Sequence, residues 1–276
     1  MPRKIGKRNN NLANPYVTVV VLTMDYPFGV MDCLKDQTYK GFEVIFAGEK
    51  GIVKAMNAAL KKANGEIFVR IDEDVFLPDM WLEELVTPFL SDPEIAGVTG
   101  PTFVRTELRK NRDSIKIWES PNWFLRWLQD NRKFAPAAIY KCGMVSYDSN
   151  YWERFNGVDA FECDHLEGTN WAMRTDLIRR VGGFDPAFDG VAEWYDTDVE
   201  AKIKKLGYSL LYNPKAVLWH NLWYSPNYNE RFDGIGRIKN FLRYHKRHSK
   251  FHWKMIVYLI VWSLYFVRAS WSKRRS

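Results

Sequence analysis

Two aspartates one residue apart, Asp72 and Asp74, close an apolar run that begins at Ile67. If the strand predicted by that run continues through them, both carboxylates fall on one side, because side chains alternate along a strand. Like charges so placed disfavour each other, and a divalent cation relieves the repulsion. Oxygen ligands favour Mg²⁺ or Mn²⁺ over zinc. An Asp-x-Asp pattern also fits a solvated turn or a helix cap, so its chemistry depends on its surroundings. A second group of carboxylates, Glu193, Asp196 and Asp198, stands at the start of an expected helix. N-capping accounts for one of them more naturally than for three. His220 closes the last expected strand, where a lone histidine is ordinarily structural.

The elements that must position these groups alternate in type. Residues 16–23 are a continuous β-branched run, which reads as a strand buried on both faces and therefore as part of a parallel sheet. A helix over 28–37, a strand over 42–47, a helix over 52–63 and a strand over 66–71 follow. This alternation opens a doubly wound α/β sheet, in which ligands bind at the carboxyl ends of the strands. Asp72 and Asp74 lie at such an end. A helix over 81–90 and a short strand over 97–101 continue the pattern. Residues 103–167 lack a clean period and carry Trp118, Trp123, Trp127 and Trp152. They read as an elaboration over the sheet, with aromatics that serve core and lid packing or stack on a sugar ring or lipid. Regular structure resumes with a loop and strand over 166–174, helices over 175–181 and 195–206, the latter capped by Gly207, and strands over 209–212 and 216–220.

With 276 residues, 46% of them hydrophobic, the chain can bury a large core. Cys33, Cys142 and Cys163 are odd in number and far apart, which argues against a disulfide framework or a zinc site and for a reducing compartment. The net charge of +7 conceals a division. From Arg237 onward there are 11 Lys and Arg and no acidic residue, leaving 29 basic against 33 acidic residues before it. An acidic body therefore carries a basic tail. The N-terminus is basic and polar without an apolar h-region, which argues against a secretory signal.

Within the tail, residues 255–267 are 13 uncharged residues between Lys254 and Arg268, short of the roughly 20 that a spanning helix needs. Extension to 251–271 reaches 21 residues but requires Lys254 and Arg268 to snorkel. The tail therefore predicts a helix lying in or dipping into a membrane interface. Basic clusters over 243–250 and 273–275 would attract anionic headgroups, with Trp253, Trp262 and Trp271 at the interface. A buried C-terminal helix used for dimerisation is the alternative. Nucleic acid is not expected, because the basic residues flank an apolar run and line no aromatic groove.

The order of several motifs resembles a family 2 glycosyltransferase with the GT-A fold. Residues 17–23 resemble its first nucleotide-binding strand, and Gln37-Thr38-Tyr39 with Phe42-Glu43-Val44-Ile45 its next segment. Residues 55–60, Gly65-Glu66 and Asp72-Glu73-Asp74 resemble the run up to its metal motif. Gly182-Gly183-Phe184-Asp185 and Asp196-Thr197-Asp198 up to Gly207-Tyr208 resemble its acceptor-side half. The resemblance covers residues 16–101 and 166–220, and implies a mostly parallel sheet flanked by helices.

It further implies an inverting transfer from a nucleotide-diphosphate sugar with Mn²⁺ or Mg²⁺. Asp74 and His220 would hold the metal, with Asp72 and its neighbour Glu73 on the nucleotide-sugar side. Asp196 would be the general base and Glu193 its rival, with Asp198 organising the helix start. Thr23, Asp25, Glu49 and Lys54 are candidate donor contacts, and Thr169 and Asn170 would line the donor-sugar or acceptor side. In place of the usual Asp-Asp-Gly-Ser the chain has Gly48-Glu49-Lys50-Gly51, which leaves the base open.

The expected organisation is a glycosyltransferase domain over 16–222, with a nucleotide half at 16–101 and an acceptor half at 102–222, and a membrane-associating tail over 223–276. The expected setting is the cytoplasmic membrane face, with a lipid-linked or membrane-proximal acceptor. A sugar-phosphate nucleotidyltransferase and a catalytically silent, membrane-recruited scaffold are the rival readings. The loop after the first strand, Met24-Asp25-Tyr26-Pro27-Phe28, lacks the Gly-rich, basic character of the former.

Overall fold

The computed structural model describes residues 14–23, 28–104, 123–132, 135–146, 157–221 and 234–273. Strand β1 (Val17–Leu22) lies between β2 (Phe42–Ala47) and β3 (Ile67–Asp72), parallel to both, with Leu22 opposite Asp72. Its alternation assigns Val17, Val19 and Val21 to one core and Val20 to the other. Each valine is fully buried, worth roughly 1.5–3 kcal/mol, which is why this strand takes a central place.

The seven-stranded sheet has the order β2-β1-β3-β8-β5-β9-β7, with β5 (Ile95–Thr99), β7 (Phe161–Glu162), β8 (Trp171–Arg174) and β9 (Ser209–Tyr212). Five strands share one direction, while β8 runs antiparallel to β3 and β5, and β7 to β9. Helices α1 (Phe28–Lys35) and α3 (Trp81–Ser91) cover one face. Helices α2 (Ile52–Lys62), α5 (Thr175–Arg180) and α6 (Tyr195–Lys204) cover the other. A second sheet, β4-β10-β6, joins β4 (Val75–Phe76), β10 (Leu218–His220) and β6 (Thr102–Val104).

Helix α1 stops before the expected Gln37, because that side chain is fully buried as a cross-link. Its amide donates to the Cys33 and Pro78 carbonyls and accepts from the Leu82 N–H, tying α1 to α3. Close backbone approach explains Gly65, where a Cβ would lie 2.3 Å from the Thr18 nitrogen.

The tail forms α7 (Gly234–His248) and α8 (Lys254–Lys273). Both pack against the described part of the middle region rather than leaving the body. Leu128 at the end of α4 (Trp123–Leu128), Tyr140, Cys142 and Met144 form a third core with Phe241 and Tyr258. The described part of the middle region thus packs both on the sheet, through Ala137, Cys163 and Phe161, and under the tail. Trp127 meets Trp253 at 5.1 Å, while Trp118 and Trp152 lie outside the described residues.

Several tail residues expected to meet headgroups face inward. Lys254 is buried, 2.8 Å from Asp130 Oδ1 and bonded to the Trp127 carbonyl, so it does not snorkel. Arg247 and His248 bind body carboxylates, and Trp262 stacks on Tyr258. No helix among the described residues is long and apolar enough to cross a membrane.

Candidate functional site

Strand β3 delivers Asp72 to the carboxyl end of the large sheet, and a tight turn leads to β4. The small sheet then supplies the histidine, because His220 pairs with Val75 across β10 and β4. The Asn221 N–H donates to the Asp74 carbonyl at 2.8 Å and secures that junction. His220 Nε2 lies 2.9 Å from Asp74 Oδ1 and 3.9 Å from Asp72 Oδ2. Ligand atoms of all three residues fall within 4.8 Å of one another, with side chains 16–22% exposed. Two carboxylates and an imidazole at this spacing fit a hard divalent cation, and the geometry groups Asp72 with Asp74 and His220 as a third donor.

Glu73 points away from that cluster to the end of β1. Its carboxylate accepts a hydrogen bond from Thr23 Oγ1, and its N–H donates to the Leu22 carbonyl. Thr23 and Glu73 therefore pair with each other at the rim of the site.

Arg70, which the sequence reading did not single out, also belongs to this cluster. It is buried in β3, and its Nη2 donates to Asp72 Oδ1 at 2.7 Å. Its positive charge also acts on Tyr195, Asp196 and Asp74. The signal was present: a lone arginine inside an apolar strand, two residues before an aspartate and therefore on the same face.

Asp196 is buried in the first turn of α6, entered through Trp194 in the left-handed conformation (φ 72°). The Thr197 N–H donates to its Oδ1 at 2.9 Å. Burial raises its pKa above the ordinary aspartate value, against the opposing pull of Arg70 and the Thr197 bond. The loop 166–169 passes over this helix face, where the Leu166 N–H donates to Glu200 at 3.1 Å. A Cβ on Gly168 would lie 3.9 Å from Asp196 Oδ2, so the backbone skirts the carboxylate without a side chain.

The other two acids of this group differ. Glu193 is half-buried, its pKa raised by burial, and it is held 3.0 Å from Arg237. Asp198 does not organise the helix start through its side chain. It is completely buried among Lys202 at 2.6 Å, His248 at 2.8 Å and Arg247 at 3.2 Å. Those hydrogen bonds and charges outweigh desolvation and hold its pKa at about 2.

The remaining candidates scatter. Asn170 is fully buried, and its amide is spent on Trp81, Pro101 and Ala216, so it braces strand ends and lines no ligand surface. Thr169 is half-buried, its hydroxyl 3.5 Å from that of Thr102. Glu49 is half-buried after β2, and Lys54 is exposed on α2. The N-terminus of α2 is already served by a carboxylate, because Asp189 accepts from the Val53 N–H at 3.4 Å beside Gly51. Asp25 lies outside the described residues.

A model of Glycosyl transferase family 2 matches residues 30–181, more than half of the chain. Glucosyl-dolichyl phosphate glucuronosyltransferase of Haloferax volcanii is 22% identical over 191 residues, covering 67% of this chain and 51% of that protein. Among solved structures, GalNAc-T7 with UDP, GalNAc and Mn²⁺ superposes with a TM-score of 0.57 at 14% identity, over 86% of this chain and 48% of that one. Mannosyltransferase PcManGT from Pyrobaculum calidifontis, in complex with GDP-Man and Mn²⁺, superposes with a TM-score of 0.51 at 16% identity, over 95% of this chain and 72% of that one. The chain spans about half the length of the Haloferax protein and of the GalNAc-T7 structure. At these identities the structural likeness establishes the fold, and the chemistry rests on the site.

Proposed function

This chain is a GT-A-fold member of glycosyl transferase family 2, and from that premise we propose that it transfers a sugar, with inversion, from a nucleotide-diphosphate sugar to a lipid-linked or membrane-proximal acceptor. The observation that carries this reading is the convergence of Asp72, Asp74 and His220 at the strand ends, with the buried Arg70 bonded to Asp72. Residues 16–101 would hold the nucleotide and 102–222 the acceptor, with Thr23, Glu49, Lys54 and Thr169 as donor contacts to be tested. Asp72, Asp74 and His220 would hold Mn²⁺ or Mg²⁺, which when bound neutralises the departing nucleoside diphosphate.

Asp196 is the general base: it takes the proton of the acceptor hydroxyl as the new glycosidic bond forms. Burial supports this role, since a carboxylate of raised pKa accepts a proton more readily than an ordinary one. Glu193 is the weaker candidate because Arg237 already engages it. The name of the Haloferax relative supports a lipid-linked acceptor, and the basic, apolar tail supports the cytoplasmic membrane face as its setting.

A panel of nucleotide sugars incubated with and without Mn²⁺ tests the reading. Metal-dependent release of nucleoside diphosphate is expected. Release of pyrophosphate would instead identify nucleotidyl transfer, and absence of donor binding by calorimetry would identify a silent scaffold.

A further inference from the structure

With His248 and Lys254 turned into the body and Arg247 held by Asp185 and Asp198, the outward surface of the tail keeps only part of the basic clusters of the sequence. On α7, Ile235, Lys239, Leu242 and Lys246 recur at spacings of four, three and four and are all exposed. The turn that follows exposes Lys250, Phe251 and Trp253. On α8, Ile256, Ile260 and Leu264 form an exposed stripe at steps of four, while Met255, Tyr258 and Trp262 pack inward. Lysines and large apolar side chains are thus interleaved on the outer face of α7 and the turn, the described outer face of α8 adds an apolar stripe, and residues 234–273 contain no Asp or Glu.

We propose that this surface, the outer faces of α7 and α8 with the turn between them, docks peripherally on an anionic lipid bilayer, the helices lying along it. Charge complementarity selects the occupant. A second copy of the chain, meeting the same surface across a two-fold axis, would set lysine against lysine with no carboxylate to answer them. A nucleic acid would answer the lysines but leave the Ile256, Ile260 and Leu264 stripe without a partner. A bilayer takes both at once, apolar side chains below the headgroups and ammonium groups among them. The inference deepens the membrane-proximal reading above, but it stands on the tail and is measured apart from catalysis.

The test is co-flotation of the full chain with vesicles of phosphatidylcholine, and of phosphatidylcholine with phosphatidylglycerol. The expected result is salt-sensitive binding to the anionic vesicles and little to the neutral ones. Lys246→Gln with Lys250→Gln should weaken binding roughly tenfold or more. Ile256→Ser with Ile260→Ser should abolish it, while thermal unfolding and donor hydrolysis in solution stay unchanged because these side chains face outward. Undiminished flotation of both variants would overturn the proposal. So would a concentration-dependent dimer lost on Ile260→Ser, or preferential binding of an anionic polynucleotide. Loss of sugar transfer in solution with flotation intact would overturn the proposed chemistry and leave the surface standing.

Discussion

Two carboxylate centres lie within this protein, and they have been completed in opposite ways. At Asp198 the chain supplies its own counter-ions, Lys202 from the same helix and Arg247 and His248 from α7, and the carboxylate is completely buried. At Asp72 and Asp74 one arginine and one histidine attend two carboxylates, and the group keeps access to solvent and three convergent ligand atoms. A centre closed by protein cations contributes to holding the structure together. One left open with clustered donors offers its ligand atoms to the divalent cation proposed above.

The largest expected effect lies on the proposed base. Asp196→Asn should lower transfer by about 10²- to 10⁴-fold in single-turnover measurements while metal-dependent donor binding by calorimetry is retained. The wild-type rate should fall on acidification with a midpoint above that of an ordinary aspartate, since burial has raised the pKa of this group. Next, the two histidines can be exchanged in role. His248→Leu leaves a buried carboxylate short of a partner and should cost about 2–3 kcal/mol in urea unfolding, without abolishing metal binding.

Acid gives a third comparison. The folded pKa of Asp198 lies near 2 against an ordinary 3.8, so its stabilisation is full above about pH 4 and is lost as pH falls towards 2. The loss is about 2 kcal/mol, visible as a falling denaturant midpoint, and Asp198→Asn should flatten that dependence. The smallest stability effect belongs to His220→Ala, within about 1 kcal/mol of wild type because the side chain is at the solvent edge. The same change should weaken Mn²⁺ binding by at least roughly 10- to 100-fold, and equal Mn²⁺ affinity would remove His220 from the site.

Much of this arrangement is legible in the order of the amino acids. The β-branched run over 16–23 could hardly be anything but a central strand, and its neighbours alternate cleanly. Asp72 and Asp74 stand out because an apolar run leads straight into them, whereas His220 is singled out only by the family resemblance, which fixes its position. What escapes the sequence depends on partners far along the chain. The reversed direction of β8 is fixed by pairing with β3 and β5, and a short apolar strand carries no mark of its direction. Asn170 and Gln37 look like surface amides, yet both are spent mainly on backbone groups distant in sequence, which leave no trace in composition. The tail misleads in the same way. Arg247 and His248 read as membrane cations because the carboxylate that binds them stands 49 and 50 residues earlier.

That last contact also decides where the chain can be cut. A shortened chain ending near residue 222, trimmed of its greasy end for ease of handling, would keep every candidate catalytic side chain. It would also strip Asp198 of two of its three cations and bare Phe188, over which Arg243 and Arg247 now lie. Tyr140, Cys142 and Met144 would lose Phe241 and Tyr258 from their core. The damage would start two residues from Asp196, on the helix that carries it. Solubility gained by trimming the apolar surface would therefore be lost to unfolding, and the outward stripe of α8 is the part to replace, side chain by side chain, with the helices left in place.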